Sequence, residues 1–427
     1  MTRKMKDSGV EWIGEIPENW ETRRLKNGLR KKKVIIKKYD NQPILSLTMN
    51  GVSLRDLVNP KGKMPTTFDG YQEITPGNII ECLFDIDVTP RCVGIARDYG
   101  LTSPAYTQFE VINDFDADFI YYYLLMLDND KILVPISKSL RNTITSDEFL
   151  ILPFSFPPVE EQRRISNRIS TETARINSII SETQQSINEL KKYKQALITE
   201  AVTKGLDKNA EMKDSGIEWI GKISSTFQLP KLGSVTLKIG SGKTPSGGES
   251  VYVPEGILFL RSQNIYDEGL EISSPRFISE EIDEQMSGTR VMQGDVLLNI
   301  TGGSIGRSTV YTLNQPANVN QHVCIIRTSE ETLLPEWLNL CLMSNIGKQS
   351  VLFFQTGGNR EGLNFADISK IRIPLPTLST QKEIIRYLSG KLQHIQVLIN
   401  QKEEAVKVYS EYKNSLIYEY VTGKKEA

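Results

Sequence analysis

A ten-residue segment near the start of the chain, MKDSGVEWIG at Met5–Gly14, returns as MKDSGIEWIG at Met212–Gly221, with nine of ten positions identical and an offset of 207 residues. A period this long is far beyond that of a solenoid repeat and means that a whole domain-sized unit is present twice. The correspondence extends past the box. ITPGNII around Gly77 matches VMQGDVL around Gly294 at offset 217, and Phe119-Ile120 falls on Trp337-Leu338 at 218. Arg141 falls on Arg360 and Gln162 on Gln381, both at 219. The offset grows by so little that the halves differ by small insertions within one architecture. The 427 residues are long enough for two such units, each with its own core.

Each unit reads in the same order: box, variable segment, breaker, long helix. The variable segments carry short β-branched runs broken by Thr-Pro-Gly or Gln-Gly-Asp, at Tyr71 to Val88 and Val291 to Ile300, which predict strands and turns. Among them lie the helical patches Ala117 to Leu127 and Pro335 to Met343. After PFSFPP (Pro153 to Pro158) the chain runs free of Pro and Gly for more than forty residues. Ile165, Ile169, Ile176, Ile179, Ile187, Leu190, Tyr193 and Leu197 fall there on three-four spacing, a heptad seam. After IPLPTL (Ile373 to Leu378) a second helix places Ile384, Leu388, Ile395, Leu398, Tyr409, Tyr412 and Leu416 at matching positions. Each helix would span roughly 60 Å, too long to be satisfied alone, so the two are expected to pair antiparallel. The fold class is α+β: two similar mixed α/β domains separated by two long helices packed as an antiparallel coiled coil, with internal pseudo-two-fold symmetry. The expected divisions are 1–156 (first box and variable domain), 157–205 (first long helix), 206–222 (linker and second box), 223–375 (second variable domain) and 376–427 (second long helix and tail). Under that symmetry the second helix ends near the first box and brings Ala427 close to Met1.

Composition bounds the function. Lys plus Arg number 51 against 52 Asp plus Glu, so a uniformly basic coat is excluded and any nucleic-acid-binding charge must be local. The strongest local excess runs from Met1 to Lys38, where twelve Lys or Arg stand against five acids. Cys82, Cys92, Cys324 and Cys341 include no C-x-x-C pair, and the start lacks the apolar core of a signal peptide, so a reduced, cytoplasmic chain is expected. No apolar run approaches the length of a membrane span.

Catalytic constellations are mostly missing. KIGSGKTPSGG (Lys238 to Gly248) resembles the end of a phosphate loop, but Leu237 stands where the first glycine is needed and Pro245 where a helix should start. TGGSIG (Thr301 to Gly306) lacks the acid expected about 20 residues on in a dinucleotide site. His322-x-Cys324 has no second ligand pair, so a buried Cys on a strand is the better reading. What remains are basic and amide side chains in loops, which suit guanine and adenine edges in a major groove. In the first unit these are Lys61, Lys63, Arg91, Arg97, Arg141 and Asn142, and in the second Lys243, Arg261, Gln263, Asn264, Arg307, Asn320 and Arg360.

This order of box, variable segment, Pro-rich stop and long helix, run through twice, resembles the DNA-specificity (S) subunit of type I restriction-modification systems. The residues that carry the resemblance are MKDSGVEWIGEIPENW (Met5 to Trp20) with its echo at Met212, PFSFPPVEEQRRI and IPLPTLSTQKEII before the helices, EAVTKGL and YVTGK at the helix ends, and GDVLLNITGGSIGRS (Gly294 to Ser308). The second box departs from the pattern by running into KISSTFQLP, and the first variable segment has CVGIARDYG where the second has GGSIGRS. The resemblance implies two target recognition domains, each reading half of a bipartite double-stranded DNA site, with the helices as ruler and docking surface for two methyltransferase (M) subunits and, where present, restriction/translocase (R) subunits. It further implies a non-catalytic chain that binds no cofactor itself, with S-adenosylmethionine, ATP and Mg on partner subunits, and no membrane association. A self-contained DNA methyltransferase and a coiled-coil adaptor without DNA contact are the competing readings.

Overall fold

A computed structural model describes residues 3–60, 64–113, 115–137, 141–355 and 362–427, which pack as two compact units. The first takes residues 1–184 and 404–427 and the second 185–403. Each box forms the same hairpin. Met5–Asp7 pairs with Glu15–Pro17 and Met212–Asp214 with Lys222–Ser224, and the register Met5↔Pro17 returns as Met212↔Ser224.

Behind each box lies an antiparallel four-stranded sheet of one topology. In the first unit the order is Leu29–Lys32, Thr107–Val111, Ile79–Glu81, Val93–Ile95, and in the second Thr236–Ser241, Val323–Thr328, Val296–Asn299, Ser308–Val310. In both, the first strand in sequence is an edge and the last lies beside it. Glycines at the turn leading to the third position, Gly77 (φ 86°) and Gly294 (φ 90°), adopt the left-handed conformation that side chains resist. Asn78 Oδ1 accepts from Thr75 N as Asp295 Oδ2 accepts from Met292 N, so each turn is closed by its own short side chain. A second, smaller pairing is also shared: Gly100↔Ile74 returns as Ala317↔Val291. In the second unit it has grown into a five-stranded sheet, with Ile257–Leu260 parallel to Ala317–Val319.

The cores repeat with exchanged partners. Trp20 meets Phe119 edge-on at 6.2 Å and 78°, and Phe227 meets Trp337 at 6.3 Å and 81°, so indole and phenyl have swapped places while the contact is kept. All four rings are buried.

The long helices run Val159–Lys204 and Leu378–Val421, within two residues of the expected starts. In the first unit Arg168 Nε donates to Tyr420 Oη and Lys413 Nζ to Asn177 Oδ1. In the second, Lys191 pairs with Glu403 at 2.9 Å and Lys194 Nζ donates to Gln396 Oε1. As numbering rises along one helix it falls along the other, so the pairing in each unit is antiparallel. The expected seam holds at Ile165, Ile169, Ile176, Ile187, Ile384, Leu388, Ile395 and Leu416, all buried. It fails at Tyr193 and Tyr412, which are 55% and 49% exposed, while Ile198, Ala201, Val202 and Ile399 are buried instead.

Both long helices end at a left-handed glycine, Gly205 (φ 81°) and Gly423 (φ 72°). A Cβ on Gly423 would lie 2.5 Å from Pro17 Cδ, and one on Gly205 3.4 Å from Phe227 Cζ. The second helix therefore ends on the first box and the first helix on the second box, as the duplication requires. Arg3 and Ala427 line one surface cavity, which brings the described start of the chain to its end.

Candidate nucleic-acid interface

In the second unit both sheets deliver chain ends to one edge. Ser241 pairs with Cys324, Asn299 with Val323 and Leu260 with Val319, so the segments that follow or precede them, 242–243, 261–264, 300–301 and 320–322, leave the sheets side by side. Gly242 shows how tight this edge is: a Cβ there would sit 1.6 Å from the Val319 carbonyl oxygen. The glycine that resembled part of a phosphate loop is thus required by backbone contact between strands.

Two of the amides expected to read bases instead build this edge. Asn264 is buried, accepting from Arg261 N and donating to Glu271 O. Asn320 is buried, accepting from His322 N while its own N–H donates to Leu260 O. They hold the loops whose neighbours remain outside. Gln263 and Lys243 are exposed. Arg307 lies over the Tyr266 ring at 4.6 Å, a cation stacked on an aromatic face. Arg261 is partly exposed and makes no ion pair among the described residues. His322 Nδ1 and Thr301 Oγ1 are 2.6 Å apart on the adjoining loop, and Thr244 Oγ1 meets Gln321 Oε1. The structure therefore gathers Lys243, Arg261, Gln263 and Arg307 at one loop edge.

The first unit differs. Lys61 and Lys63, and Arg360 of the second unit, lie outside the described residues. Arg91 bonds Asp128 at 2.9 Å and Asn129 at 2.9 Å, and the Asp128 side chain is 4% exposed and also held by Lys131 and by Cys92 N. That is a buried ion-pair network, and it engages the Arg91 guanidinium, expected to face a groove, inside the unit. Arg97 pairs with Asp118, and Arg141 with Asp85 at 3.0 Å. Asn142 sits at φ 43° and accepts from Ser137 Oγ. Cations without an ion pair among the described residues lie elsewhere too: Lys33, Lys37 and Lys38 are exposed and leave the edge strand Leu29–Lys32 just as Gly242–Lys243 leave Thr236–Ser241. This is the run already conspicuous as the chain's basic excess. Within it Arg23, Arg30 and Lys31 are engaged by Glu21, Glu110 and Ser146.

Burial also fixes what these groups cannot do. All four thiols are buried; desolvation pushes Cys324 up to about 12 and raises Cys82, Cys92 and Cys341, so none supplies a thiolate at neutral pH. Among the described residues no three His, Cys, Asp or Glu side chains group to hold a metal ion, and no helix is long and apolar enough to cross a membrane. Tyr266, Thr301 and His322 had no local signal, because what joins Tyr266 to Arg307 and Thr301 to His322 is the meeting of loops separate in sequence.

Residues 225–408 match the family model described as the type I restriction modification DNA specificity domain. That match spans less than half of the chain, and similarity to specificity subunits of type I restriction enzymes extends over most of its length. It is 25% identical over 354 residues to the type I restriction enzyme EcoBI specificity subunit of Escherichia coli, covering 78% of this chain and 71% of that protein. It is 24% identical over 329 residues to the MjaVIII specificity subunit of Methanocaldococcus jannaschii, covering 76% and 74%. The fold matches a chain from a solved structure concerned with complex assembly and conformational transition of the type I R-M system. The TM-score is 0.69 at 16% identity, over 96% of this chain and 99% of that one.

Proposed function

We propose that this chain is a specificity subunit that recognises a bipartite double-stranded DNA site, one half per unit, and docks two methyltransferase subunits and, where present, restriction subunits. It is non-catalytic in this reading: S-adenosylmethionine, ATP and Mg are bound by the partners, and methylation and cleavage happen there. The observation that carries the proposal is one scaffold built twice, with the same sheet order and box register, whose loop edges differ in the side chains they present. A duplicated scaffold with divergent loops suits two half-sites of different sequence. Lys243 and Arg307 in the second unit, and Lys33, Lys37 and Lys38 in the first, supply the positive charge that phosphates need locally in a chain of net charge -1.

The test is methylation-sensitive sequencing of a host with and without this chain. Loss of one methylated two-part motif is the expected result. An unchanged methylation pattern would overturn the proposal.

A further inference from the structure

Most arginines of the second unit's recognition domain are occupied. Arg276 pairs with Glu249, Arg290 with Asp283 and Glu284, Arg327 with Asp295, and Arg307 is stacked on Tyr266. Arg261 stands apart. Its Nε is buried and finds no hydrogen-bond partner among the described residues, and it forms no ion pair among them. A buried donor of a charged group left unpaired is costly, and such atoms are rare enough in folded chains to require an explanation.

The surroundings hold this arginine in place. Its backbone N–H donates to Asn264 Oδ1 at 2.9 Å, which closes the turn Ser262–Asn264. The turn is gripped from beneath by fully buried Asn299, whose Nδ2 donates to Ser262 O at 2.8 Å and to Ser304 Oγ at 3.1 Å. Asn299 Oδ1 is itself buried without a partner among the described residues, so a donor and an acceptor are both left over at the same turn. The guanidinium is thus seated at its Nε end, on a fixed turn, at the edge where the loops of both sheets emerge. Phosphate contacts are well served by exposed, flexible cations such as Lys243. A seated guanidinium suits a planar pair of acceptors, and the base edge that offers such a pair in the major groove is guanine O6/N7.

We propose that Arg261 is a specificity-determining residue that reads one guanine of the half-site bound by the second unit. This rests on the DNA-recognition reading above. The test uses the chain assembled with its methyltransferase subunits and reads the methylated motif by sequencing, for wild type, Arg261→Lys and Arg261→Ala. The expected result is that both variants lose discrimination at a single G·C position of one half-site, by about ten- to a hundredfold, with the other half-site unchanged. An unchanged motif in Arg261→Ala overturns the proposal. So does restoration by Arg261→Lys, which would mean a point charge suffices, and so does uniform weakening of every site, which would mean a phosphate or folding role. If wild type itself yields no two-part motif, it is the DNA-recognition reading that fails.

Discussion

Replacing Gln162 by Leu would keep the size of a buried side chain and remove the bonds it makes to two separated stretches of backbone. Gln162 Oε1 accepts from Asp116 N, and Nε2 donates to Pro157 O. Gln381 does the same 219 residues on, accepting from Leu334 N and donating to Pro376 O and Thr332 O. Each glutamine ties the start of a recognition-domain helix, Ala117–Asn129 or Pro335–Met343, to the first turn of a long helix. Gln162→Leu or Gln381→Leu should lower stability by about 2 to 4 kcal/mol, since two backbone groups in the first case and three in the second lose their partners. Chemical denaturation measures this, and a cost near zero would mean that water replaces the amide. A second residue-scale expectation concerns Glu81, buried beside Asp128, whose carboxyl is held well above the usual range first by desolvation and then by Asp128, with Arg91 opposing. A carboxyl raised in the folded state contributes its stability at acid pH and loses it as pH climbs through the folded value. Wild type should therefore lose melting temperature from weakly acid to alkaline pH relative to Glu81→Gln, which cannot ionise. Parallel pH profiles for the two proteins would show that Glu81 carries no such penalty.

The elements divide sharply in how far they could be read from the sequence. The repeated box and both long helices were legible, because a near-identical repeat and a Pro-rich stop followed by an unbroken seam are local signals, whereas the hairpin each box forms was not. The seam's later positions were not. Tyr193 and Tyr412 keep the spacing yet face solvent, and Ile198, Ala201 and Val202 take over where the helix end is wrapped by the second unit's core. Periodicity identifies a stripe but not which neighbours will cover it. Sheet order was hidden for the same reason, since the ladders that set it, Thr107–Val111 on Leu29–Lys32 and Val323–Thr328 on Thr236–Ser241, join strands distant in sequence. The ion-pair partners of candidate residues were not legible either: Arg91 finds Asp128, and Arg141 finds Asp85, across chain separations no loop motif records. Ile187→Ala should cost about 2 to 4 kcal/mol through the cavity it leaves, whereas Tyr193→Ala should stay within roughly 0.5 kcal/mol, as exposed positions do. Thermal denaturation of both variants checks this, and equal losses would restore the original seam.

At the scale of the whole molecule the long helices matter because each begins in one unit and ends in the other: residues 159–184 of the first belong to one unit and 185–204 to the second, and the second helix divides at Glu403. If each unit reads one half-site, helix length enters the spacing between them. A single insertion would break the antiparallel register, so the change must be made in both helices. Seven residues after Gln185 and seven after Glu403 keep the heptad seam nearly in phase and lengthen the pair by about 10 Å. With base pairs rising about 3.4 Å, the spacer of the methylated motif should lengthen by up to about three base pairs, with both half-site sequences unchanged. Sequencing the methylated sites of a host carrying the lengthened chain gives the answer. An unchanged spacer with active methylation would show that the helices do not set the distance, and altered half-sites would show that the insertion had reached into the recognition domains.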